Sequence, residues 1–269
     1  MAPTSLIDAN AIGDTLRSLR ARPPLVQCLT NIVVAQWTAN VLLATGMAPA
    51  MVDNSHEAGD FAAMASGVLV NLGTPYDDTS AAMSVAVASA SASGTPWVLD
   101  PVAAGAVAWR TQLAQELLAS ARPRIIRGNA SEIMALAGGT GGRGVDSVDS
   151  PEAALEVAQG LAKRYRTTVA VSGAVDHLTD GERVVRIANG HPLLTRVTGV
   201  GCALGALMAG FAGVVDDGLL AAAAATATLT VAADEAAGRS RGPGSFAVAL
   251  LDELASLSPQ SLASAVKVS

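Results

Sequence analysis

Thr198-Gly199-Val200-Gly201-Cys202 runs straight into the apolar stretch 203–211, so two glycines and a thiol stand where a turn feeds a buried helix. A helix start offers N–H groups with no intrahelical partner at the positive end of the helix dipole, and glycines let a ligand come close to that backbone. A phosphate suits such a place, and the thiol lies where a nucleophile or proton acceptor would stand. The same spacing also serves a tight turn with close packing, and the spacing alone leaves both readings open. Proximity to the helix start is expected to lower the Cys202 pKa below its usual value of about 8.5.

Further polar residues follow apolar runs: Thr30-Asn31, Asn54-Ser55, Asn71 and Thr74, Asp100, Asn129 and Glu132, and Ser172. Capping is the alternative role for Asn31, Ser55 and Asn129. Asp100, followed at once by Pro101, is poorly placed to cap a helix beginning near Val107. Together with Glu132 it could hold a hydrated Mg²⁺, which takes one or two protein carboxylates plus phosphate oxygens. That chemistry points to a nucleotide.

Positioning these residues requires a regular frame, and the chain predicts one. Residues 25–29, 48–52, 67–72, 96–99, 124–127 and 167–171 read as strands buried on both faces, and 33–45, 55–66, 78–93, 107–120 and 151–165 read as helices between them. Ser55 and the Ser150-Pro151 step are expected helix caps. Repeated strand–helix units imply an α/β fold with a mostly parallel central sheet and helices on both sides, and polar residues just after the strands then gather on one edge. Asp180-Gly181, set between two polar–apolar runs over 175–189, predicts a hairpin and an antiparallel edge. The 138–144 glycine cluster reads as one mobile surface loop. No linker or repeat interrupts the chain, which predicts a single domain over 1–269.

The composition excludes several classes. The net charge is −6, from 17 basic and 23 acidic side chains, and the basic residues form no stripe suited to nucleic acid. Two cysteines, Cys28 and Cys202, and three histidines, His56, His177 and His191, show no zinc spacing. A reduced, cytoplasmic setting is expected. Residues 1–22 carry Asp8, Asp14 and scattered arginines and do not form a secretory signal. The charge-free runs 199–215 and 219–233 fall short of the roughly 20 residues that span a bilayer and are rich in Ala and Gly, so they read as buried helices and no membrane is expected. Trp37, Trp97 and Trp109 read as core or subunit-contact residues.

Five ordered segments carry a family resemblance: residues 27–31 (Gln-Cys-Leu-Thr-Asn), 46–51 (Gly-Met-Ala-Pro-Ala-Met), 99–106 (Leu-Asp-Pro-Val-Ala-Ala-Gly-Ala), 127–132 (Arg-Gly-Asn-Ala-Ser-Glu) and 198–202 (Thr-Gly-Val-Gly-Cys). They resemble the segments of hydroxyethylthiazole kinases, over about residues 24–251. The resemblance implies a ribokinase-like three-layer α/β/α fold and ATP- and Mg²⁺-dependent phosphorylation of the alcohol of 4-methyl-5-(2-hydroxyethyl)thiazole in thiamine salvage. It also implies a homotrimer with the thiazole pocket between subunits. By the same resemblance Met51, Gly199 and Asn31 lie near the thiazole, and Arg127 and Ser172 on ATP. Asp100 and Glu132 lie around the magnesium and phosphates, Gly201 at the moving phosphoryl group and Cys202 beside the acceptor alcohol.

The chain departs from that family's pattern at Gln27-Cys28, where His-Asn is usual, and at Val200, where Thr is usual. Losing the hydroxyl at 200 removes one possible donor to the phosphate. Related kinases of hydroxymethylpyrimidine or pyridoxal, and the ATP-dependent dehydratase that repairs hydrated nicotinamide cofactors, carry Asp at the position of Cys202. A non-catalytic thiazole or thiamine binder is the alternative outside enzymes. A dinucleotide fingerprint at 199–205 is mis-spaced and comes too late in the chain.

Overall fold

Successive residues of a strand point to opposite sides, and this sequence supplies apolar side chains for both. The computed structural model describes residues 7–138 and 151–269. Eight strands lie in them: β1 (Leu25–Leu29), β2 (Ala48–Ala50), β3 (Gly67–Asn71), β4 (Trp97–Asp100), β5 (Ile125–Asn129), β6 (Thr168–Ser172), β7 (Asp176–Thr179) and β8 (Val184–Ile187). They form one sheet in the order β2-β1-β3-β4-β5-β6-β7-β8. The first six are parallel; β7 pairs antiparallel with β6, and β8 antiparallel with β7. Asp180 accepts the N–H groups of Glu182 and Arg183 at 3.0 and 2.7 Å, which builds the expected hairpin turn.

The helices are α1 (Ala9–Ala21), α2 (Ala35–Thr45), α3 (Ala58–Met64), α4 (Asp77–Ser93), α5 (Ala108–Ser120), α6 (Ala130–Leu136), α7 (Pro151–Tyr165), α8 (Val200–Ala212), α9 (Gly218–Gly238), α10 (Pro243–Ser256) and α11 (Pro259–Ala265). On one side of the sheet Val26, Cys28, Leu69, Val98 and Ile125 pack with Leu16, Val41, Phe211 and Leu229 of α1, α2, α8 and α9. Their neighbours Leu29, Val68, Val70, Trp97 and Ile126 face the other side and meet Met83, Leu117, Ile133 and Leu161 of α4 to α7. The three layers follow from this alternation.

Several boundaries differ from the sequence reading for local reasons. Two helices, α1 and α6, were not anticipated; α1 starts on Asp8, whose side chain accepts the Ala11 N–H at 2.8 Å. Ser55 is not a cap: Asn54 takes the His56 N–H at 2.9 Å in a turn of its own, and α3 begins at Ala58 without a side-chain cap. A short 3₁₀ turn, Ile32–Val34, precedes α2. The loop expected over 138–144 lies outside the described residues from 139 onward, as does Ser150.

Two apolar helices anchor the first layer. Every residue of α8 from Ala203 to Ala212 is buried. The charge-poor run after it makes a 21-residue helix, α9, longer than the sequence reading allowed and long and apolar enough by length and composition to cross a membrane. Its most apolar window is 83% buried inside the fold, which marks it as a core helix. Cys28 is buried in the same layer, and burial pushes its thiol up to about 12. Of the tryptophans, Trp97 is buried and Trp109 is exposed.

Candidate functional site

The carboxyl ends of the parallel strands deliver polar residues to one edge, where the start of α8 meets them. Gly199 is its N-cap in a left-handed conformation (φ +89°), and a Cβ there would lie 2.5 Å from Val34 Cγ1 and 3.1 Å from the Trp37 ring. Glycine is therefore required on two counts. The first intrahelical bond runs from the Ala203 N–H to the Gly199 carbonyl at 2.9 Å, and no side chain caps the helix. The amides of Val200, Gly201 and Cys202 are thus left for a ligand.

Arg127, from β5, lies across this helix start. A Cβ on Gly201 would stand 2.9 Å from its Nη1 and 3.0 Å from its Nη2, so the bare glycine is what admits the guanidinium. Nη2 donates to Ser172 Oγ at 3.0 Å, Nη1 is 3.5 Å from Asp100 Oδ2, and Nε is buried without a partner. One fork therefore joins β5, β6, β4 and α8.

Asp100 ends β4, fully buried between β3 and β5. Its Oδ2 accepts from Asn71 Nδ2 at 2.7 Å, while Oδ1 has no partner. Burial pushes the carboxyl up to about 6, against the downward pull of the Arg127 charge and with a further upward push from Glu132. Glu132, the third residue of α6, makes a capping box with Asn129: Asn129 Oδ1 accepts the Glu132 N–H, and Glu132 Oε2 accepts the Asn129 N–H, both at 2.9 Å. Its Oε1 accepts the Ala103 N–H at 2.9 Å, and Ala103 itself is left-handed at φ +63°. Both oxygens of Glu132 are therefore engaged by backbone, which the sequence reading of this residue as a magnesium carboxylate had not foreseen.

Cys202 is the third residue of α8 and is half-buried. Asn31 Nδ2 lies 3.6 Å from its sulfur, while Asn31 Oδ1 accepts the Val33 N–H at 3.0 Å and caps the 3₁₀ turn, so Asn31 both caps and reaches the thiol. The expected lowering of the thiol pKa is overturned. Burial, followed by the nearby Asp100 charge, pushes it up to about 11, outweighing the downward pull of the Asn71 amide and the Arg127 charge.

Asn31, Asp100, Arg127, Glu132, Ser172, Gly201 and Cys202 thus converge. Met51 stands apart, just past β2 at the outer edge of the sheet and 36% exposed. Two residues were missed as site members. Asn71 was visible as a strand-end residue, but its partner Asp100, 29 positions away, was not. Asp176 opens β7, accepts the Gly173 N–H at 3.1 Å and is pushed up to about 6 by burial, with Arg127 pulling it down. Only the antiparallel return of β7 brings it there. A cleft of about 530 Å³ lies at the opposite pole, where Arg183 pairs with Asp180 and Asp217.

Among the described residues no group of three or more His, Cys, Asp or Glu forms a metal cage. The unpartnered Asp100 Oδ1, with Glu132 beside it, fits instead a hydrated Mg²⁺ that takes most of its ligands from water and phosphate.

Residues 16–260 match the model of the hydroxyethylthiazole kinase family. The chain belongs to that family. A hydroxyethylthiazole kinase of Clavibacter sepedonicus is 59% identical over 258 residues, covering 96% of this chain and 94% of the relative. The solved structure of the hydroxyethylthiazole kinase protein from Pyrococcus horikoshii superposes with a TM-score of 0.89 at 38% identity, covering 96% of this chain and 98% of the other. A ribokinase-like superfamily protein from Enterococcus faecalis shares the fold alone, with a TM-score of 0.61 at 11% identity over 96% of this chain and 92% of that one. The hydroxyethylthiazole kinase fold seen here is accordingly ribokinase-like.

Proposed function

We propose that this chain transfers the γ-phosphoryl group of ATP to the alcohol of 4-methyl-5-(2-hydroxyethyl)thiazole, yielding the phosphate monoester and ADP for thiamine salvage. The observation that carries this reading is the Arg127 guanidinium seated against Gly201 at the uncapped start of α8, with Cys202 one residue further on. Phosphoryl transfer has a loose transition state, so orientation and charge stabilisation outweigh a strong base. Arg127 and the amides of Val200, Gly201 and Cys202 would hold the equatorial oxygens, with Ser172 fixing the guanidinium. Cys202, protonated at neutral pH with a thiol pKa near 11, would orient the alcohol and has no call to ionise. Asp100, aided by Glu132, would hold a bound Mg²⁺, whose charge would neutralise the phosphates.

Gly199 and Asn31 would line the thiazole, with Met51, at the outer edge of the sheet, reaching it from a neighbouring copy. Ile32 and Val33, beside Asn31, are 70% and 67% exposed, which supports a second copy of the chain covering this edge in a homotrimer. The test is turnover: purified protein with Mg²⁺, ATP and the thiazole alcohol is expected to release ADP and form a phosphate monoester visible by ³¹P NMR. ADP release no faster than without the alcohol would overturn the assignment and leave a binder.

A further inference from the structure

Asn71 ends β3 directly opposite Asp100 in the parallel register and is fully buried. Its neighbours fix the orientation of the amide. Oδ1 accepts the Gly73 N–H at 2.9 Å, which leaves Nδ2 as the group that meets Asp100 Oδ2 at 2.7 Å. Flipped, the amide would press oxygen against oxygen at one end and N–H against NH₂ at the other. The loop that follows is shaped around this arrangement: a Cβ on Gly73 would lie 2.5 Å from Asn31 Nδ2, and Thr74 is held at φ +43°, a conformation non-glycine residues seldom adopt.

We propose that Asn71 is a positioning residue, whose amide clamps the Asp100 carboxylate through Oδ2 and leaves Asp100 Oδ1 as the oxygen presented to the reacting groups. The catalytic part of this rests on the phosphoryl-transfer reading above. Without the amide, Asp100 Oδ2 keeps only Arg127, at 3.5 Å. A carboxylate released in that way closes onto the guanidinium in a two-pronged pair. That pair uses the oxygen meant for the reaction and draws Arg127 off Gly201.

Asn71→Ala tests this, with Asn71→Ser measured in parallel so that a folding defect in the first does not remove the test. Either variant that melts cooperatively is expected to lose about 10- to 100-fold in kcat. KM for ATP and for the alcohol should stay within about threefold of the parent. The loss should vanish in an Asp100→Asn background, where the double variant turns over as fast as Asp100→Asn alone. A loss of merely structural origin would multiply undiminished in that background, and that result overturns the proposal. A crystal structure of the variant should show the Asp100 carboxylate turned towards Arg127 on an unchanged backbone; a carboxylate still in its parent position refutes the clamp. Should the parent protein fail to phosphorylate the thiazole alcohol, the proposed substrate falls, and the carboxylate position in the variant still decides the clamp.

Discussion

Gly201→Ala concentrates the reasoning about the site into one methyl group. The new Cβ would sit 2.9 and 3.0 Å from the two terminal nitrogens of Arg127, whereas comfortable contact begins near 3.5 Å, so the guanidinium must retreat by about 0.6 Å. It cannot do so freely, because Nη2 is bonded to Ser172 Oγ at 3.0 Å and Nη1 faces Asp100. A charge-assisted hydrogen bond contributes about 1.5–3 kcal/mol, and the retreat weakens one such contact to the phosphoryl group. kcat/KM should therefore fall about 10- to 100-fold, equivalent to about 1.4–2.8 kcal/mol of transition-state stabilisation. Folding should hardly change, since Ala is the better helix former by about 1 kcal/mol and offsets the crowding. Steady-state kinetics with a coupled ADP assay, read beside a thermal melt, would decide the matter. Activity within twofold of the parent, in a variant of normal stability, would show that Arg127 does not act at the start of α8.

Three further outcomes are expected. Gly160→Ala, in the exposed part of α7 where a Cβ meets nothing within 4 Å, should leave kinetics untouched and raise stability by about 0.5–1 kcal/mol in denaturant titration, whereas destabilisation would mean the glycine has a packing role. Cys202→Asp should keep or raise kcat, because the donor that meets the sulfur, Asn31 Nδ2, suits a carboxylate, while Cys202→Ala should lower it only moderately; an inactive, folded aspartate variant contradicts this. Both thiols hold their protons more tightly folded than unfolded, near 12 for Cys28 and 11 for Cys202. Stability from this source is therefore full below about pH 8.5 and declines as pH rises towards 11 for Cys202 and 12 for Cys28. Iodoacetamide should accordingly label Cys202 with a rate that climbs towards pH 11, and a plateau by pH 9 would refute the burial argument.

The layered frame was legible because its signals are local. Runs such as Val68-Leu69-Val70 announce strands buried on both faces, and Asp180-Gly181 announces a hairpin, so the sheet and its antiparallel edge followed from adjacent residues. Asp100, Glu132 and Ser172 could be nominated because strand ends converge in a parallel sheet, Gly201 and Cys202 because they stand at a helix start, and Arg127 by the family resemblance. What each does to its neighbours was less accessible. The helix start argued for an acidic thiol at Cys202, yet burial and the Asp100 charge reverse the sign, and both depend on chain segments about a hundred residues away. Asn71 and Asp176 owe their importance to the same distant pairings.

The double grip of Glu132 has a consequence for how substitutions there are interpreted. Its two oxygens tie down the main chain at Asn129 and at Ala103, the latter in a conformation that costs an ordinary residue about 1–2 kcal/mol. Even the isosteric glutamine would turn an NH₂ towards one of those amides and let go of it. Rates lost on replacing this side chain will therefore fold a slackened β4–α5 connection into whatever the missing charge contributes. Amide exchange at residue 103, followed alongside turnover, would separate the two.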